Sequence, residues 1–253
     1  MNKLNLTHDY YDYCDVLHQK WFDKTLQFED ELKELFEVDY SPEPYFVLKN
    51  GSNPLFMLLT NPGAGMDFQK HENFQKSDYK AFSNILGDIY TSEQFKKEGG
   101  ANAHRRLIKS IAWANHLGYN SIVNIETIPF HSRNLNKSKA LDIIGKSWVL
   151  SRYQEVLRNF LVNKPVLIVA ACGSKTSITL NTIKNSKWLI YQAEIANINI
   201  ENLKQKICRI QCQHKHCAMG KINDVENAVN KRQAEGNKRI NCAIHQPVNN
   251  RRR

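Results

Sequence analysis

Three apolar runs, each stopping abruptly in a polar loop, constrain this chain more than anything else in it. PLFMLL (54–59) breaks into TNPGAG, SIVNIETIPF (121–130) into HSRN, and PVLIVAACG (165–173) into SKT. Runs this short and this apolar are the signature of strands buried on both faces, as in a parallel sheet. Stretches of helical spacing separate them, and a fourth run, KWLIYQ, follows TSITLNTIKNS. Strands alternating with helices predict an α/β fold. The expectation is a three-layer α/β/α sandwich with a mainly parallel, four-stranded central sheet, its strands including 55–59, 121–128, 166–171 and 188–191.

The helical segments fill in around those strands. Residues 9–37 carry Tyr13, Val16, Trp21, Leu32, Leu35 and Phe36 at roughly helical spacing, which reads as one or two amphipathic helices. SPEPYFVLKNGSNP reads as a strand and a turn. Further helices are expected within 77–97, from about Asn102 to Leu117 with Gly118 placed to stop it, and as one long helix over roughly 137–161. The whole chain, 1–253, reads as one domain with a helical N-terminal extension (1–40) and a basic C-terminal insert or tail (203–253).

Charge is distributed unevenly. The net charge is +10, but the segment from Leu203 to Arg253 holds 12 Lys/Arg against 3 Asp/Glu, so the preceding body is nearly neutral. A basic end beside a neutral body points to an anionic partner, nucleic acid being the commonest, or else to a solvated tail. No apolar run reaches the roughly 20 residues of a membrane helix, and MNKLNLTHDYYDYCDV lacks the apolar stretch of a signal peptide. The expected location is cytoplasmic. Cysteines 14, 172, 208, 212, 217 and 242 are too scattered for a disulfide scaffold. Cys208, Cys212, His214, His216 and Cys217 include no Cys-x2-Cys pair, so no metal and no other cofactor is expected.

In sheets of this kind ligands bind at the carboxyl ends of the strands, which directs attention to two loops. Asn61, between Thr60 and Pro62-Gly63, could aim its amide oxygen at a water; Asn-Pro and Pro-Gly are also ordinary turn pairs. Asn124 sits inside a strand, where Asn is an unfavourable choice. Its amide offers a donor and an acceptor, which suits the edge of a nucleobase, or it is a core residue satisfied by neighbouring backbone.

These residues carry a resemblance. LTNPGAGMDFQKHENF resembles the first motif, Gly-Met-Asn-Pro-Gly or Gly-Ile-Asn-Pro-Gly, of the single-strand-selective monofunctional and mismatch-specific branches of the uracil-DNA glycosylase superfamily. VNIETIPFHSRNL resembles the second motif of the single-strand-selective branch, a strand with Asn, then Cys-Pro-Leu, then Ser-Gly-Arg-Asn-Leu. The likeness covers 55–192 in the order of elements and about 30 residues in detail.

The resemblance implies that Asn61 positions the hydrolytic water and Asn124 hydrogen-bonds a flipped base, with Gly63 beside it. The ring stacked on that base falls at Phe74, 13 residues past Asn61, with Phe68 as the rival. Ser132, Arg133 and Asn134 would meet DNA. Two departures stand out: Leu59 replaces the first Gly of the motif, and no His follows the fourth strand in AEIANINIEN. The nearest counterpart of the last motif, His-Pro-Ser-Pro-Arg-Asn, is INCAIHQPVNNRRR. It would put His245 on the leaving base and Arg251, Arg252 and Arg253 on phosphates.

The implied activity is hydrolysis of the N-glycosidic bond of uracil or a modified pyrimidine by a monomer, leaving an abasic site. It would serve base excision, or defence against phage whose DNA carries glucosylated cytosines. Two alternatives remain open: a catalytically silent nucleic-acid-binding protein on the same fold, and a small-molecule nucleoside hydrolase or transferase.

Overall fold

The computed structural model describes residues 9–63, 65–162, 164–168, 193–194 and 197–213. Four strands form one sheet in the order β1-β3-β2-β4: β1 is Tyr45–Leu48, β2 Pro54–Leu59, β3 Ser121–Glu126 and β4 Val166–Ile168. β3 and β4 flank β2 in parallel, while β1 runs antiparallel along β3. The fold is therefore mixed α/β. A fully parallel set of four is not what these strands make, because β1 occupies the edge beside β3 in the opposite sense. The run expected at 188–191 lies outside the described residues.

The register sorts side chains onto two faces, because successive strand residues point to opposite sides. Phe46, Asn124 and Met57 are paired across the strands and share one face; Val47, Val123 and Phe56 share the other. The chain leaving β2 builds helices α3 (Tyr79–Tyr90) and α4 (Ala101–His116) toward the first face, where the Tyr90 ring lies 5.0 Å from that of Phe46. The chain leaving β3 builds α5 (Lys137–Lys146) and α6 (Trp148–Leu161) toward the second, where Phe160 meets Phe56 at 5.4 Å. Connections that depart to opposite faces from neighbouring parallel strands leave a crevice between their carboxyl ends.

Two further points correct the sequence reading. The long helix expected over 137–161 is two helices, broken at Ser147, whose extended backbone ends α5. The Ser147 hydroxyl then caps α6, accepting from Leu150 N and itself donating to Glu29 Oε2 at 3.0 Å. The N-terminal helices α1 (Tyr10–Phe22) and α2 (Asp30–Leu35) are part of the core rather than an extension of it. Tyr10, Tyr13, Cys14, Leu17 and Trp21 are buried, and Tyr10 donates its hydroxyl to Pro44 O at 3.0 Å. The last described helix, α7 (Ile200–Gln213), begins the basic segment. No helix among the described residues is long and apolar enough to cross a membrane.

One close approach sets the position of α3. A Cβ placed on Gly87 would lie 1.8 Å from the Val47 carbonyl oxygen, so the helix rests directly on the β1 backbone. Gly145, on the exposed side of α5, has open space around it. Gly87→Ala is expected to destabilise the fold by about 1–3 kcal/mol through overpacking. Gly145→Ala should stabilise it by up to about 1 kcal/mol through helix propensity. Urea midpoints of the two variants should move in opposite directions; a neutral Gly87→Ala would mean α3 is not pinned to β1.

Candidate functional site

The crevice between the ends of β2 and β3 opens into a cleft of about 710 Å³. Strand ends contribute Phe46, Leu59 and Glu126; the loop after β2 contributes Thr60 to Gly63; α3 and the turn after it contribute Tyr90, Phe95 and Gly99. Glu43 and His131 complete its floor. Lys137, at the start of α5, also lines it.

The loops after β2 and β3 are laced together. Thr127 N and Ile128 N donate to Leu59 O and Thr60 O at 3.1 and 2.9 Å, and Ser132 N donates to Pro62 O at 3.1 Å. Asn61 closes the set: its Nδ2 donates to Ser132 Oγ and to Pro62 O, each at 2.8 Å. With the nitrogen turned inward, Asn61 Oδ1 accepts no hydrogen bond among the described residues, while the residue lines the cleft. A fixed amide with an unengaged oxygen is suited to accepting from a water or a substrate hydroxyl.

Asn124 shares a sheet face with the cleft-lining Phe46 and Glu126, two residues before the latter, but it is fully buried and does not itself line the cleft. Neither its Nδ2 nor its Oδ1 has a hydrogen-bond partner among the described residues. The satisfied core Asn that the sequence left open is thus not found there. A buried amide group without a partner costs roughly 1–3 kcal/mol, a cost that ligand sites often carry.

The charged part of the cleft was not foreseen. Glu43 is held between Pro42 and Pro44, just before β1, and its Oε2 accepts from Tyr90 Oη at 2.6 Å and Gln69 Nε2 at 3.1 Å. Burial pushes its carboxyl up to about 7, against the pull of those two donors. His131 Nε2 lies 3.7 Å from the same oxygen. The His131 ring spans Gly63 O (2.7 Å from Nδ1) and Ser41 O (3.1 Å from Nε2). Burial pulls its pKa down to about 4, while both carbonyl contacts pull the other way by favouring the doubly protonated ring. The signals were present in the sequence: Glu126 follows Asn124 at the period of two that puts both on one face, and Glu43 is a lone acid between prolines ahead of an apolar run.

The remaining expected site residues are dispersed. Gly63 lines the cleft, and no neighbouring atom would lie within 4 Å of a Cβ there. Ser132 is buried, its hydroxyl turned onto Asn61 rather than outward. Arg133 is exposed and pairs with Glu37 at 3.0 Å, and Asn134 is exposed. Phe74 is not brought to the cleft: it packs among His18, Trp21 and Phe82, with ring centroids 5.0–5.3 Å away. Phe68 packs toward Phe82 and does not line the cleft either. His245, Arg251, Arg252 and Arg253 lie outside the described residues, as do Cys212's neighbours His214, His216 and Cys217. Among the described residues no group of three or more His, Cys, Asp or Glu could hold a metal ion. Compared with known proteins, the chain matches no family model, no curated protein and no solved structure.

Proposed function

We propose that this chain is a monofunctional DNA glycosylase, hydrolysing the N-glycosidic bond of uracil or a modified pyrimidine. The observation that carries the reading is Asn61, fixed in the cleft with its oxygen unengaged, together with Asn124, buried and unpartnered on the same sheet face just outside the cleft lining. Both lie toward the carboxyl ends of adjacent parallel strands, as a base pocket with its water site requires.

The target base must leave the stack before its C1′ linkage can be reached, at a cost of a few kcal/mol. Asn61 then accepts from the water and aims it at C1′. As the bond lengthens, negative charge develops on the base, where the Asn124 amide can donate. The ring that stacks on the base is better assigned to Phe95 than to Phe74. Phe95 is half-buried, lines the cleft and stands 5.1 Å from Tyr90. The three-layer α/β/α arrangement, the DNA-facing roles of Arg133 and Asn134, and those of His245 and the three terminal arginines belong to the same proposal.

A second reading, a nucleoside hydrolase or transferase, draws support from the two buried carboxylates, Glu43 and Glu126, at a cleft large enough for a nucleoside. One assay separates the two. Oligonucleotides bearing uracil, cytosine, hydroxymethylcytosine or glucosylated hydroxymethylcytosine are incubated with the protein and cleaved with alkali. The free deoxynucleosides are followed for base release in parallel. Alkali-labile sites without free-nucleoside turnover are expected. Binding of the oligonucleotides with no abasic product would instead identify a silent binding protein.

A further inference from the structure

Glu43 is built as no structural carboxylate needs to be. Three groups converge on one of its oxygens: Tyr90 Oη at 2.6 Å, Gln69 Nε2 at 3.1 Å and His131 Nε2 at 3.7 Å. Its Oε1 accepts no hydrogen bond among the described residues, although the residue lines the cleft. The supports are themselves fixed. Gln69 is buried and its Oε1 accepts from Met66 N at 2.8 Å; Glu43 N donates to Pro129 O at 2.7 Å; prolines flank Glu43 on both sides. His131 ties this assembly to the Asn61 loop through Gly63 O. One oxygen held by donors and the other presented to a cleft is the arrangement of a group that exchanges a proton with a bound species.

Within the glycosylase reading, on which this rests, an amide at Asn61 orients water and has no means of taking its proton. We infer that Glu43 is a catalytic residue of the cleft, its Oε1 accepting the proton of the water that Asn61 orients. The water O–H bond breaks as its oxygen bonds to C1′. The C1′–N bond breaks with its electron pair passing to the base. The proton on Glu43 then leaves for the departed base, directly or through solvent, and the carboxylate is restored. A carboxyl raised to about 7 by burial is a stronger base than an exposed one and is still ionised in useful proportion at neutral pH. The titratable or charged groups around it are Tyr79 and Tyr90 from α3, Glu98 from the turn before α4, and Glu126, His131 and Lys137 from β3 and the chain beyond it.

The test is single-turnover base release from a single-stranded oligonucleotide with one deoxyuridine, and from one with a single glucosylated hydroxymethylcytosine. The wild-type rate is expected to rise with pH, reach half its maximum near 7 and level off about one unit above that. Glu43→Gln, nearly isosteric and able to keep the Tyr90 contact, should lose about 10²–10⁴-fold in rate and the acidic limb, with binding of the uncleaved oligonucleotide unchanged. Formate should restore part of the rate to Glu43→Ala, which a purely structural residue would not allow; thermal midpoints check that both variants fold. Wild-type excision with an unimpaired Glu43→Gln overturns the assignment and leaves the glycosylase reading standing. So does a slow Glu43→Gln that keeps the acidic limb, or a limb that vanishes in Glu126→Gln instead. A wild-type protein that releases neither base overturns both.

Discussion

Asn61→Ala is expected to slow base release by about 10²–10³-fold, or roughly 2.7–4 kcal/mol of transition-state stabilisation, the usual loss when one preorganised polar group is removed. Affinity for the uncleaved oligonucleotide should change little, because the amide oxygen is asked to hold the attacking water and not the ground-state base. The structure adds a control. Asn61 Nδ2 is anchored by Ser132 Oγ at 2.8 Å, so Ser132→Ala removes an anchor while leaving the amide in place. About a tenfold loss is expected there, with the amide still held by Pro62 O. Single-turnover rates and binding isotherms measured side by side decide it. Equal losses of rate and affinity in Asn61→Ala would reduce the residue to a turn former.

The second large effect is on stability in acid. His18 and His131 are both buried and both held down to about 4 by desolvation, from an ordinary 6.5. Protons then bind the unfolded chain more readily than the native one between those values. The stability that each neutral ring contributes is complete above pH 6.5 and is lost as pH falls toward 4, about 3 kcal/mol for each. Glu43 works in the opposite sense. Its raised pKa means the native state holds a proton that the unfolded chain gives up, so its contribution is present below 4.5 and lost as pH rises through 7. Two histidines against one carboxyl leave a net loss of about 2 kcal/mol on going from pH 6.5 to 4.5. Urea unfolding across that range should show it. His18→Phe keeps an aromatic ring among Trp21, Phe74, Tyr79 and Phe82 and gives up the contact with Ser41 Oγ. One histidine then offsets one carboxyl, and the slope should flatten. With both rings charged in the native state only Glu43 would remain, and stability would instead rise by about 2 kcal/mol over the same acidification.

Much of the sheet was legible because its strands are short apolar runs closed by Asn, Pro and Gly, and β2, β3 and β4 fall where those runs do. The sense of β1 was not, since YFVL is as good a strand in either direction and only its pairing with Ile122 to Ile125 fixes it. The break at Ser147 hides inside a continuous helical pattern because Ser serves equally as a helix surface residue and as a cap; it is Glu29, more than a hundred residues away, that decides. In the site, Asn61 and Asn124 stood out as polar residues where apolar or turn residues were expected. Glu43 and His131 did not, for their surroundings are assembled by contacts with Gln69, Tyr90 and Gly63 that no local pattern encodes. Phe74 illustrates the converse: a spacing carried over from other proteins met an aromatic cluster built by α1 and α3, and packing took the ring.

The lacing of the two loops has a bearing on how this cleft can change. Residues 59–63 and 127–132 share hydrogen bonds at nearly every step, so neither keeps its shape without the other. A graft that swapped the first loop alone would strand Thr127, His131 and Ser132 without acceptors or partners. Altered substrate preference, whether by design or by descent, is therefore reached more readily from the facing wall around Phe95 and Gly99, which can be lengthened or recoloured while the laced pair is inherited as one cassette.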